Sequence, residues 1–372
     1  MINLCPICSS NENTEIFHED NVPLFQNKVY SSEKDAKHAE KGLINLFLCK
    51  HCGFVWNGSF DSKRLDYNSD YQNEQSHSPA FMEHLSSVKQ IIEKKKSKSS
   101  HIIEIGCGKG TFLNLLQNSG YYNLSGFDPS YEGNSSYIQK CYYSQNNKHG
   151  QVDLFIMRHV LEHIPDPLNF LENISSPTEK ESMIYIEVPD FEWIVKNGAF
   201  WDISYEHCNY FSLSLFESIL PSCETGYLFG DQYLYAIGDF KIHIPETNTK
   251  YRYDASKTPR FNEKMEYCKS FVSENSNLAL WGAGAKGANF ARMVDPNCQY
   301  IKCIVDINPK KQGKYIAGSA HRIVSPDELK MRYEYDIEGI IIMNENYLEE
   351  IKRMVKPWTG KFYTVNEYLE EV

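Results

Sequence analysis

Ile102-Ile103-Glu104-Ile105-Gly106-Cys107-Gly108-Lys109-Gly110 is the stretch that decides the fold. Ile102, Ile103 and Ile105 form a short apolar run of the kind buried in a parallel sheet. Three glycines at alternate positions then make a turn. Phe112, Leu113, Leu115 and Leu116 follow at helical spacing, and Gly120 marks the stop. Glycine lets backbone approach a ligand closely. The first amides of the next helix face whatever occupies the turn. A further strand, Leu124-Ser125-Gly126-Phe127, ends at Asp128, 22 residues after Gly106. A carboxylate there can accept both hydroxyls of a ribose. The pair points to a nucleoside cofactor on an α/β fold.

Bulk properties set the frame. A chain of 372 residues suggests two or three domains. With 25 Tyr and 20 Phe a sizeable core is available. A net charge of -11 argues against a nucleic-acid partner but leaves room for a small anionic substrate. No apolar run approaches the ~18 residues of a membrane span. The N-terminus has no basic start followed by an apolar stretch, so no signal peptide is expected. Eleven cysteines fit a reducing cytoplasm better than a disulfide framework.

Cys5-Pro6-Ile7-Cys8 and Cys49-Lys50-His51-Cys52 are two C-x-x-C knuckles with 40 residues between them. Four thiolates in such pairs make a closed tetrahedral zinc site with a structural role. Thiol redox chemistry is the alternative, but its usual βαβ context is missing. Segment 57–80 has no clean period and reads as loop or short helix. A helix is expected from Pro79 to about Lys96, with Phe81, Leu85, Val88, Ile91 and Ile92 on one face. Residues 185–240 read as β-like and aromatic, and 244–260 as a connection. Leu278 to Gly287 is again strand, glycine turn, helix, here with a true G-x-G-x-x-G spacing. Asp306 ends the following strand. The expected division is therefore 1–75, a zinc-binding module; 76–260, a cofactor domain; and 261–372, a smaller Rossmann-like domain.

The first glycine turn departs from the dinucleotide fingerprint. Its spacing is G-x-G-x-G, with Glu104 two positions before the first glycine. That turn resembles the first motif of class I S-adenosylmethionine (SAM) methyltransferases. Gln151 to Met157 resembles the family's fourth strand, Arg158 to Pro167 the segment after it, and Met183 to Pro189 the fifth strand. The resemblance implies SAM as cofactor, held by Glu104, Gly106, Gly108, Gly110, Asp128 and the turn Met157, Arg158 and His159.

Over nearly its whole length the chain resembles the sugar C-methyltransferases. Their plan is an N-terminal zinc module, a central SAM domain and a C-terminal Rossmann-like domain. The knuckles, Trp281 to Gly287, Val305 to Tyr315 and Tyr205-Glu206-His207-Cys208-Asn209-Tyr210-Phe211-Ser212 carry this resemblance. The last segment is similar to the family's "EH-x-x-YFS", whose Glu-His pair lies in the active site. The family places a tyrosine two residues before that Glu; here Ser204 stands there, with Tyr205 next to Glu206. Tyr71 and His163 match further family positions. The resemblance implies a keto sugar linked to a nucleotide as substrate. Methyl transfer to carbon needs an enolate, so a base must remove a proton beside a ketone. His207 suits that role by residue type, with Glu206 to orient it. Tyr71, Tyr205 and His163 are candidates to hydrogen-bond the enolate oxygen. Competing readings are O- or N-methylation, an NAD-dependent enzyme using Gly282 to Gly287, and a zinc-knuckle binding protein. The C-terminal turn either takes a phosphate of the acceptor or carries no ligand.

Overall fold

The computed structural model describes residues 4–67, 71–144, 150–175, 182–245, 260–275, 277–333, 336–365 and 369–372. The connection expected over 244–260 lies outside them except at its ends. Among the described residues no helix is long and apolar enough to cross a membrane.

The central sheet has seven strands. In spatial order they are Cys223–Leu228, Tyr233–Asp239, Met183–Pro189, Leu154–Arg158, Ile102–Ile105, Leu124–Phe127 and Ile138–Gln139. The last five run parallel, and Tyr233–Asp239 pairs antiparallel at the other side. This strand order is the one that the resemblance to class I methyltransferases implies. Ile102, Ile103 and Ile105 are buried in its middle as their apolar run requires. Burying each such side chain is worth about 1.5–3 kcal/mol. Strand order reverses between Ile102–Ile105 and Leu154–Arg158, so a crevice opens beyond their carboxyl ends.

Helix Pro79–Glu93 starts where Ser78 Oγ accepts the Phe81 amide, with Pro79 in the first turn. It ends at Glu93, short of Lys96. Phe81, Leu85, Val88 and Ile92 bury its apolar face. Two helices, Phe191–Lys196 and Leu213–Ile219, interrupt the aromatic region read as β-like. Aromatic residues favour strands in general, but here they fill the core from helices.

A second sheet is antiparallel, in the order Asn13–Pro23, Lys41–Cys49, Val55–Asn57 and Asn209–Tyr210. Its last strand comes from the segment just after His207. A third sheet of six strands begins with Ile323–Val324, Ile301–Val305, Leu278–Trp281, Gly339–Ile342 and Lys361–Val365, all parallel. Leu369–Glu371 closes it antiparallel. This Rossmann-like unit is sewn to the rest. Gln232 and Asn344 exchange two amide hydrogen bonds of 3.0 and 2.9 Å. Glu350 accepts from Ser78 Oγ at 2.8 Å, and Arg292 pairs with Glu19 at 2.9 Å. Val29–Tyr30 also pairs with Tyr315–Ile316.

Candidate active site

The crevice is one wall of a cavity of about 730 Å³. Glu104, Gly106, Gly108, Asp128, Arg158 and His159 line it on the side of the central sheet. Gly108 sits at φ +55°, where a side chain is strained, and an added Cβ would project into open space. Its amide donates to Asp128 Oδ2 at 2.8 Å. Asp128 Oδ1 takes the amide and hydroxyl of Ser130. One lone pair of Oδ2 is thus left for a ligand hydroxyl. Glu104 is buried, and its Oε2 has no hydrogen-bond partner. Burial pushes its carboxyl up to about 7, with the Arg158 guanidinium opposing. A spare carboxylate lone pair, an orphaned acid and an open glycine cradle fit the ribose and the cationic end of SAM. Gly110 and Met157, also expected here, do not line the cavity. Gly110 caps the helix Thr111–Asn118 with its Cβ position against Ile138, and Met157 is fully buried in the core.

His159 is cationic. Burial opposes its charge, but Glu162 and Glu187, 3.5 and 3.3 Å away, raise it to about 9. Glu162 itself is buried, lines the cavity and has both oxygens free of hydrogen bonds.

A second wall carries His163, His207, Tyr67 and Tyr71. One ligand-capable atom each from Glu162, His163 and His207 lies within 4.8 Å of the others. The two imidazoles meet edge to face at 4.9 Å between centroids. Burial, with His163 beside it, pushes His207 down to about 3. His207 is therefore neutral at physiological pH, and weakened as a base unless a charge beside it stabilises the proton it takes. Glu162 supplies the opposing charge for the imidazolium that results.

Glu206 and Tyr205 take other places than expected. Glu206 lies behind the wall, where its Oε2 accepts the Gln26 amide at 2.8 Å and Tyr67 and Tyr71 face its carboxylate. It orients the tyrosines and does not contact His207. Tyr205 is fully buried and its hydroxyl accepts the Asp61 amide at 3.0 Å. A Cβ on Gly42 would fall 2.3 Å from its ring. The chain bends at residues 205–206, and both side chains turn into the protein there. Tyr67, Glu162, Asn27 and Lys311 line the cavity without having been singled out. Tyr67 had one signal: it stands one helical turn's spacing before Tyr71.

The third wall is the C-terminal glycine turn, with Gly282, Gly284, Lys286, Asp306 and Lys311. Asp306 Oδ2 accepts the Ala283 amide at 2.8 Å, as Asp128 does for Gly108. A Cβ on Gly287 would lie 1.8 Å from the Gly282 carbonyl, so that glycine is needed for strand–helix packing alone. Lys311 is buried and donates to the Ala283 carbonyl at 2.9 Å. Lys286 is held by Asp202 at 3.1 Å.

Away from the cavity, Cys5, Cys8, Cys49 and Cys52 cluster as the knuckle spacing required. Cys5 and Cys52 sulfurs are 3.6 Å apart, those of Cys8 and Cys49 3.5 Å. A tetrahedron of Zn–S bonds of about 2.3 Å has sulfurs ~3.8 Å apart. The four thiols fit a structural zinc with no open position. His51 turns instead to Glu12 at 3.6 Å.

Comparison with known proteins agrees with this geometry. Residues 76–222 match a family model described as a methyltransferase domain, and 274–360 one described as C2185-like, N-terminal. The chain is a SAM-dependent methyltransferase. It is similar to C-methyltransferase NovU of Streptomyces niveus, 22% identical across 96% of this chain and 95% of that protein. Among solved structures, the plantazolicin methyltransferase BpumL with SAH is 17% identical, covering 45% of this chain and 86% of its own, at a TM-score of 0.35. A SAM-dependent methyltransferase from Aquifex aeolicus is 14% identical, covering 44% and 94%, at 0.32.

Proposed function

We propose that the protein C-methylates a keto sugar carried on a nucleotide, through an enolate raised by His207. The supporting observation is the single cavity. It brings a neutral, half-buried imidazole, a SAM-type glycine turn and a lysine-bearing glycine turn face to face. Similarity to a C-methyltransferase along nearly the whole chain favours the same chemistry. The division 1–75, 76–260 and 261–372 assigns each wall a part: tyrosines from the first, cofactor turn and histidines from the second, acceptor phosphate from the third.

Bound SAM supplies a methyl group on a cationic sulfur. The chain's own residues do the rest. His207 takes the proton from the carbon beside the ketone, and the electron pair moves onto the carbonyl oxygen. Tyr71 and His163 lie on that wall as hydrogen-bond partners for the oxygen. Lys286 and Lys311 stand on the third wall as candidate partners for a diphosphate, in exchange for the carboxylates of Asp202 and Asp306 beside them.

In deuterated buffer without SAM, the enzyme exchanges the hydrogen beside the ketone of a nucleotide-linked keto sugar. His207→Ala loses exchange and methylation and still binds SAM. Near-normal turnover in that variant would make His207 structural and overturn the mechanism.

A further inference from the structure

We propose that Glu162, His163 and His207 form a site for one divalent transition-metal ion, separate from the four thiols, and that an ion there holds the enzyme inactive. The site stands on its donors alone; the blocking role rests on the enolate reading above. One nitrogen or oxygen from each of the three side chains lies within 4.8 Å of the other two. Donors on one such ion sit about 3.4 Å apart, at bonds of about 2.0–2.1 Å, and side-chain rotation closes the remainder. Two imidazoles and a carboxylate suit zinc, cobalt, nickel or iron(II) rather than calcium or magnesium. Three protein donors leave a coordination position open toward the cavity that all three line.

Two donors share one turn, and the third is fastened to it. Glu162 and His163 belong to the 3-10 turn Leu161–His163. The two residues after His207 hold that turn. Cys208 Sγ donates to the Glu162 carbonyl at 3.4 Å, and Asn209 Nδ2 to the Ile164 carbonyl at 2.5 Å. The donors are thus brought together by the fold, which spares an ion part of the ordering cost of binding. Each donor also has a lone pair to give. The Glu162 side chain is 1% exposed, and neither of its oxygens has a hydrogen bond. His159 Nδ1 stands 3.5 Å from Oε1, which leaves Oε2 open. Such a buried carboxylate oxygen on a cavity wall is costly until a cation or a donor meets it. His163 Nδ1 lies 3.2 Å from the Tyr67 hydroxyl, whose one proton is directed to the Glu206 carboxylate. The hydroxyl oxygen therefore accepts from Nδ1–H, and this chain of hydrogen bonds assigns the His163 lone pair to Nε2. A carboxylate, a tyrosine and an imidazole in series are the kind of outer support that metal-bound histidines have. The His207 ring packs edge to face on His163 at 4.9 Å between centroids. The imidazole that takes the carbon's proton is also the one that ligates the ion. An ion on His207 and enolate formation by His207 exclude each other.

The test titrates cobalt(II) into zinc-loaded wild type, Glu162→Gln and His163→Ala and records the visible spectrum. Wild type should take up about one further ion per chain, with weak d–d bands and without the intense near-ultraviolet absorption of cobalt on thiolate. Elemental analysis should find the zinc still in place. Each variant should lose more than about 100-fold in cobalt affinity, above the cost of losing an outer-shell partner. SAM affinity and melting temperature report that both variants stay folded, and glutamine keeps the size of Glu162. Cobalt should stop deuterium exchange and methyl transfer with a nucleotide-linked keto sugar, and a chelator that leaves the thiol-bound zinc should restore both. No d–d bands in wild type, bands that come with thiolate absorption, or equal affinity in both folded variants overturns the site. Full exchange or faster turnover with cobalt bound overturns the blocking role. Wild type that binds cobalt but, without it, neither exchanges nor C-methylates keto sugars overturns the enolate reading and the blocking role, and leaves the metal site standing.

Discussion

Glu104 shows how one side chain couples cofactor to pH. Its carboxyl is raised to about 7 chiefly by burial. A raised carboxyl favours the folded state while it is protonated. That contribution is complete below its unfolded value near 4.5 and disappears as pH climbs through about 7. A cationic ligand reverses the preference by stabilising the carboxylate. SAM binding is therefore expected to release a proton and to tighten between about pH 6 and 8. Titration calorimetry in buffers of different ionisation enthalpy reads the proton directly. Glu104→Gln should abolish the release, and proton uptake by wild type would contradict the placement of Glu104 against the cofactor. At this scale the sequence revealed much: Glu104, Asp128, His163, His207 and Tyr71 all reach the cavity. It did not reveal which neighbour in Tyr205-Glu206-His207 faces inward. That depends on the local path of the chain, fixed by Gly42, Asp61 and Gln26 far away in sequence.

Among the elements, the short strand Val55–Asn57 carries an unexpected duty. It follows the knuckle Cys49 to Cys52 and pairs with Asn209–Tyr210, placing Tyr210 opposite Val55. The Asn57 backbone amide also donates to the Cys208 carbonyl at 2.8 Å. The knuckle turn is thus tied by backbone to the residue after His207. Replacing Cys49 and Cys52 together by Ser should take zinc from about one per chain to none. Methylation should fall more than SAM affinity, because this sheet is paired by backbone to the residues next to His207 and not to the glycine turn. Elemental analysis beside a SAM titration checks it, and unchanged zinc in the double variant would contradict the ligand set. The knuckles were legible from spacing, and both glycine turns from strand–turn–helix pattern. The pairing of Asn209–Tyr210 with the N-terminal sheet was not, since two-residue strands carry no period. The helices Phe191–Lys196 and Leu213–Ile219 were hidden by aromatic residues that favour strands locally and are overruled by packing.

At the scale of the molecule, three sheets close around one cavity, and each contributes what the others lack. The net charge is -11, and two lysines that line the cavity, Lys286 and Lys311, each have a carboxylate beside them, Asp202 and Asp306. The acidic balance disfavours extended polyanions as partners. Composition forecast that; only the fold shows where the lysines lie. The central claim is that the methyl group arrives on carbon. It is tested most directly by supplying SAM labelled with carbon-13 in its methyl group, together with a nucleotide-linked keto sugar, and recording the product's carbon spectrum. The labelled signal should fall in the upfield region of a methyl on carbon, coupled to a neighbouring ring carbon when the sugar is also labelled. A labelled signal in the downfield region of a methyl on oxygen or nitrogen, without carbon–carbon coupling, would contradict the account.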